Sequence, residues 1–363
     1  MKSVAFRPAL SLVLACLLPL TAAAQSARSA VAANSPLKTP EDVEWETIRL
    51  EAYQVPAAPE TQPADEAGRK AAGARRAANL LAKADRVREF YRRHGQHGKA
   101  AEAKRLEVVL LLNAVHQGET SVEGRARRAV DDIRKDHSLP ESMRAEVVGT
   151  AGFMETARKP LKADEMFAAY EATARSLIVE FPGQPQGYES LVAIARDGDE
   201  AHGRALAQEL LNLPAPDAVK QQAKFLLDRY GLVGQPLADI LANAGDKDAE
   251  KAVKKNRPTV IYTWASWSPG SLKLGQDLAQ RGLAGANVVG INLDQDTAAA
   301  KTLAASSNLA GNLVYDARGP DGALAMGLKL NGAPQVYLVD AQGVVRDVRG
   351  IENLTEKLTR LGL

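Results

Sequence analysis

Residues 259–271 read TVIYTWASWSPGS, and the fold is decided by how this stretch is read. Thr259, Val260, Ile261, Tyr262 and Thr263 are β-branched or aromatic, the side chains that suit a buried, pleated strand. Trp264-Ala265-Ser266-Trp267 follows, then Ser268-Pro269-Gly270-Ser271, and a helical pattern runs over 272–281. The order is strand, tight turn, helix.

Farther along, residues 332–340 read GAPQVYLVD, followed by Gly343-Val344-Val345. Taken together, the two stretches resemble the thioredoxin-fold proteins, in particular the TlpA-like thiol–disulfide oxidoreductases (redoxins) with their WAxWCxxC signature. Both tryptophans, the alanine between them and Pro269 stand where that family has them. Ser268 and Ser271 occupy the places of its two cysteines. The resemblance covers about the last third of the chain. It implies a cis peptide bond between Ala333 and Pro334, a strand after it and an Asp-x-x-Gly hairpin turn. Gly234-Gln235-Pro236-Leu237 resembles the family's GxPxP entry with its second proline missing.

Between these landmarks the pattern alternates. Residues 246–257 are charged and read as a solvated approach to the first strand. Residues 287–293 form an apolar strand run, Asp296 or Thr297 caps a helix through Leu309, 313–315 is a short strand, and 323–330 and 354–361 are helices. A thioredoxin-like α/β domain over 232–363 is therefore expected.

Residues 68–231 read as an all-α domain. Amphipathic, alanine-rich runs at 69–94, 99–116, 124–136, 140–159, 162–181, 186–196, 200–211 and 216–230 are separated by short glycine and proline breaks, a helical-hairpin pattern with no strict repeat. All five histidines lie here (His94, His97, His116, His137, His202). His94 and His97 stand three apart, but two ligands with no cysteine or carboxylate cluster make a poor metal site, so no metal and no cofactor are expected. The first helices are basic, which suits either an anionic partner or a solvated face whose charge is met elsewhere. The second reading is the one taken here.

Residues 1–24 carry Lys2 and Arg7, an apolar run over 9–20 and an Ala-rich end, the pattern of a signal peptide. Residues 25–67 are a tether rich in Ala, Ser and Pro, with one short helix started by Thr39 and Pro40. Trp45, Ile48 and Ala52 would form its apolar stripe. Export to the periplasm or cell envelope is the expectation. The chain's one cysteine is Cys16. It lies in the leader, or is acylated if Val13-Leu14-Ala15-Cys16 acts as a lipobox, the only case that attaches the protein to a membrane. Basic and acidic residues number 46 and 44, so no overall field calls for nucleic acid.

Without cysteines the dithiol reaction of the family is closed, because a serine hydroxyl forms no disulfide. What the resemblance leaves is a binding groove of Trp267, Pro269, Ala333 and Pro334, with Trp264 in the core. The residue before the cis-proline, Ala333, would pair with an extended partner through its backbone. The expected function is a non-catalytic protein- or peptide-binding module in the envelope. Two other readings stay open. One is a structural remnant with no ligand. The other is a hydrolase with Ser268 as nucleophile, which needs an adjacent base; no histidine follows His202, and Lys273, Asp277 and Tyr262 are poor substitutes.

Overall fold

The computed structural model describes residues 39–53 and 65–363, apart from Asp246, Lys255, Ala284 and Glu352. The expected leader, Cys16 and most of the tether lie outside the described residues. The chain divides into two compact units between Gln221 and Gln222.

The first unit is helical. Helix α1 (Pro40–Tyr53) opens with a reciprocal cap: the Thr39 hydroxyl accepts from the Asp42 N–H at 3.2 Å, and the Asp42 carboxylate accepts from the Thr39 N–H at 3.0 Å. Next comes α2 (Glu66–Arg93), capped by Asp65, whose carboxylate accepts from the Gly68 N–H. Trp45, Ile48 and Ala52 are buried, and the Trp45 ring lies 5.2 Å from that of Phe90 on α2. The histidines that flank Gly95 complete this junction. His94 Nε2 is 3.2 Å from Glu44 and His97 Nε2 is 3.1 Å from Asp42. Arg86 and Arg93 of α2 pair with Glu51 and Glu44. Part of the basic excess on α2 is thus met by the acidic helix α1.

Helices α3 (Ala100–His116), α4 (Glu123–Lys135), α5 (Glu141–Ala157), α6 (Ala163–Glu180), α7 (Pro185–Asp197), α8 (Glu200–Asn212) and α9 (Asp217–Tyr230) follow. From α3 to α8 each helix packs on the next. The contact of α5 with α6 needs small residues: a Cβ on Gly149 would sit 2.9 Å from Leu177, and one on Gly152 2.9 Å from Thr173. The division between the units falls inside α9, ten residues before the 231/232 boundary drawn from the change in periodicity.

The second unit is built on a five-stranded sheet in the order β3-β2-β1-β4-β5, with β1 (Thr259–Trp264), β2 (Asn287–Asn292), β3 (Asn312–Tyr315), β4 (Val336–Val339) and β5 (Val345–Asp347). Strands β1, β2 and β3 run parallel; β4 is antiparallel to β1 and β5 to β4. Every residue of β1 is buried, which is why its sequence is apolar without alternation. The helices are α10 (Leu237–Ala244), α11 (Lys247–Ala252), α12 (Pro269–Arg281), α13 (Thr297–Ser307), α14 (Ala323–Gly327) and α15 (Leu354–Arg360). This is a thioredoxin-like α/β unit preceded by an all-α region, as expected.

Three local readings need correction. The stretch 246–257 contains α11, whose Ala249 is buried, so the approach to β1 is only partly solvated. Residues 237–244 form a helix with Leu237, Ile240 and Leu241 turned inward, a spacing of i, i+3, i+4 passed over beside the entry motif. The site helix α12 begins at Pro269, three residues earlier than the pattern suggested, because Ser268 is its N-cap and proline needs no N–H partner in a first turn. Among the described residues no helix is long and apolar enough to cross a membrane.

Gly311 enters β3 at φ +76°, and a Cβ there would lie 2.1 Å from the Val288 carbonyl oxygen. Changing Gly311 to Ala is expected to destabilise the protein by more than about 1 kcal/mol in urea unfolding followed by circular dichroism. A shift within error would show that this corner relaxes freely.

Candidate functional site

The site forms where β1 leaves the sheet. Thr263, fully buried at that end, bonds to the chain on both sides of Pro334. Its hydroxyl donates to the Gly332 carbonyl at 2.8 Å and accepts from the Gln335 N–H at 2.8 Å, while its own N–H donates to the Gln335 carbonyl at 2.9 Å. One threonine therefore closes a clamp around Ala333 and Pro334, whose peptide bond is cis.

After Thr263 the chain places Trp264 inside, with no solvent exposure, and edge-on to Tyr315 at 5.9 Å between ring centroids. Three residues on, Trp267 faces solvent at 58% exposure. What holds the intervening turn is Asp294, just beyond β2 and 7% exposed. Its carboxylate accepts from the Ser266 N–H at 2.9 Å, the Ser266 hydroxyl at 2.7 Å and the Asn292 amide at 2.8 Å. In the sequence Asp294 stands only as the residue after the 287–293 strand run, with no role of its own. The signal available was a carboxylate directly after a buried strand, facing a turn with unpaired N–H groups.

The two serines behave differently. Ser268, partly buried at the N-cap of α12, makes no side-chain cap to its own helix; its hydroxyl donates to the Ala333 carbonyl at 2.9 Å. Ser271 is fully buried. It donates to the Ser268 carbonyl at 2.6 Å and accepts from the Ala265 N–H at 3.1 Å, pinning the first turn of α12 to the end of β1. Pro269 is exposed between them.

Ala333 and Pro334 are partly exposed, and among the described residues the Ala333 N–H has no hydrogen-bond partner. The Ser268–Ala333 bond thus joins the turn that carries exposed Trp267 and Pro269 to the Ala333–Pro334 loop, while Trp264 is buried in the core.

Among the described residues no side-chain proton acceptor is bonded to Ser268. Its hydroxyl faces a peptide carbonyl, which takes up no proton at ordinary pH. Lys273 and Asp277 pair with each other at 3.0 Å on the outer face of α12. Tyr262 donates to the Ala310 carbonyl at 2.9 Å, and burial pushes its phenol well above the usual tyrosine range, so it stays neutral.

This unit has a thioredoxin-like fold, and its sequence is similar to those of thiol:disulfide interchange proteins. The chain is 33% identical over 119 residues to the thiol:disulfide interchange protein DsbE of Pseudomonas fluorescens, covering 32% of this chain and 65% of that protein. It is 31% identical over 120 residues to DsbE of Tatumella citrea, covering 32% and 63%. The match spans less than two thirds of these relatives' own length. Among solved structures, a thiol-disulfide oxidoreductase from Bacteroides fragilis aligns with 27% identity over 30% of this chain and 82% of that one, at a TM-score of 0.26. No family model matches the sequence.

Replacing Ser271 by Ala leaves the Ala265 N–H buried without its acceptor. The expected cost is about 1–3 kcal/mol in chemical denaturation, more than for Ser268→Ala, whose carbonyl partner can turn to water. Equal costs would contradict the structural role given to Ser271.

Proposed function

We propose that the C-terminal unit binds an extended segment of another polypeptide, after export to the cell envelope, and exchanges no sulfur with it. The observation that carries this reading is the Ala333 backbone: a partly exposed residue whose N–H has no partner among the described residues and whose carbonyl is bonded to Ser268, the residue after exposed Trp267. A strand-like segment satisfies that N–H by its own carbonyl, and the Ala333 carbonyl keeps one lone pair for a partner N–H although Ser268 takes the other. Trp267 supplies a rigid aromatic anchor for an apolar side chain. The named relatives are thiol:disulfide interchange proteins, and that exchange needs a thiolate to attack and a second thiol to resolve. Here both positions are hydroxyls in good hydrogen bonds, and the only cysteine is Cys16 in the proposed leader.

One observation favours a purely structural role: the Ser268–Ala333 bond already occupies part of the groove's pairing edge. Binding separates the two readings. Titrated with reduced, carboxymethylated α-lactalbumin, the full-length protein is expected to bind, and Trp267→Ala to weaken binding about tenfold, the loss of about 1.4 kcal/mol. No binding by the wild type, or affinity unchanged in Trp267→Ala, would overturn the groove reading.

The missing chemistry is testable by restoring it. The double substitution Ser268→Cys with Ser271→Cys is expected to reduce insulin disulfides with dithiothreitol as electron donor. The introduced thiols become a disulfide as each insulin disulfide becomes two thiols. An inactive but folded double variant would show that more than the two sulfurs separates this site from a redox centre.

A further inference from the structure

The geometry points to Arg229 as a positioning residue of the groove, an inference that rests on the groove being the binding surface. Arg229 is in the last turn of α9, on the part that belongs to the second unit, and it is 4% exposed. A guanidinium is rarely that buried, since desolvating it is costly unless its N–H groups are satisfied in good geometry. Its hydrogen bonds go to the segment that carries the cis peptide. Nε donates to the Lys329 carbonyl at 3.1 Å and Nη2 donates to the Asn331 side-chain oxygen at 2.6 Å. With the Gln335 amide oxygen turned inward, Gln335 accepts from Nη1 at 3.1 Å and Nη2 at 2.9 Å. The Phe225 ring, one helical turn back, lies 5.5 Å from the guanidinium carbon and fixes its plane.

These contacts fall on both sides of Ala333–Pro334. Residues 329 and 331 lie before it and 335 after it, so a rigid planar fork spans the loop. Thr263 holds the inner edge of the same loop at Gly332 and Gln335. Tyr337 holds its root, donating to the Leu328 carbonyl at 2.6 Å. Lys329 itself adopts φ +53°, a left-handed conformation that a side-chain-bearing residue keeps only when its surroundings impose it. The Arg229 bond to its carbonyl is such a restraint. With Thr263 on one side and Arg229 on the other, the Ala333 N–H is presented at a fixed position, and an extended segment pairs with it at little ordering cost. Arg229 touches no bound segment itself; it acts through the loop.

The test uses the full-length chain with Arg229→Met and, as a variant that leaves the buried position intact, Asn331→Ala, whose side chain is on the surface. Amide hydrogen exchange over residues 328–335 is expected to quicken about tenfold or more in Arg229→Met, with β1 and β2 still protected. The Kd for reduced, carboxymethylated α-lactalbumin is expected to rise about tenfold. Asn331→Ala should move both readouts the same way by less, and Arg229→Lys should restore only part, since an ammonium cannot span the loop as a fork does. Exchange unchanged over 328–335, exchange raised equally in β1 and β2, or local loosening with unaltered affinity would each overturn the proposal. Should the wild type fail to bind the probe, the groove reading falls, and the exchange measurement alone decides whether Arg229 holds the loop. If Arg229→Met does not fold, the Asn331→Ala comparison decides in the same terms.

Discussion

The Thr263 hydroxyl is the interaction on which the site depends. It is fully buried at the end of the central strand, and it donates to one side of the cis peptide while accepting from the other. A buried hydroxyl that both gives and receives is satisfied with no water, so the clamp is stable where a half-satisfied one would be costly. From that fixed point the rest follows in register. Trp264 points into the core, Asp294 gathers the next turn, and α12 starts at Ser268 within hydrogen-bond reach of Ala333.

Oxygen chemistry suits the two serine positions. Ser271 sits where no solvent reaches, donating to one carbonyl and accepting from one N–H. A thiol is a weak donor and a weak acceptor and would serve both bonds poorly. Ser268 likewise spends its hydrogen on the Ala333 carbonyl instead of on a base. The pair therefore stiffens the junction between strand, helix and loop. The helix N-terminus, which in a dithiol site would favour a thiolate, here has no group that ionises near neutral pH.

Much of this was legible in the residues. A run of β-branched and aromatic side chains bounded by Ser-Pro-Gly can be little other than a strand that turns into a helix, and the eight helical runs of residues 69–230 have ends within a few residues of those observed. Trp264 and Trp267, three apart across a turn, were separable into core and surface. The partners of buried polar groups were not legible, because they are set by contacts between distant segments. Arg229 meets residues a hundred positions away. Asp294 reaches back to Ser266, and Thr263 across to Gly332. His94 and His97, which sequence spacing alone would offer as a ligand pair, face Glu44 and Asp42 and fasten α1 instead. Short helices such as Leu237–Ala244 escaped for another reason: eight residues give too few periods to stand out beside a proline and glycine motif.

The central claim is that this groove holds a polypeptide segment through backbone pairing and an aromatic anchor, with sulfur playing no part. It is tested most directly by calorimetric titration of the full-length protein with two otherwise identical unfolded peptides, one with a free cysteine and one with that cysteine alkylated, followed by non-reducing mass measurement of the complexes. The account predicts the same Kd for both peptides and no covalent adduct with either. Binding that requires the free thiol, or a mass increase equal to a disulfide-linked peptide, would contradict it.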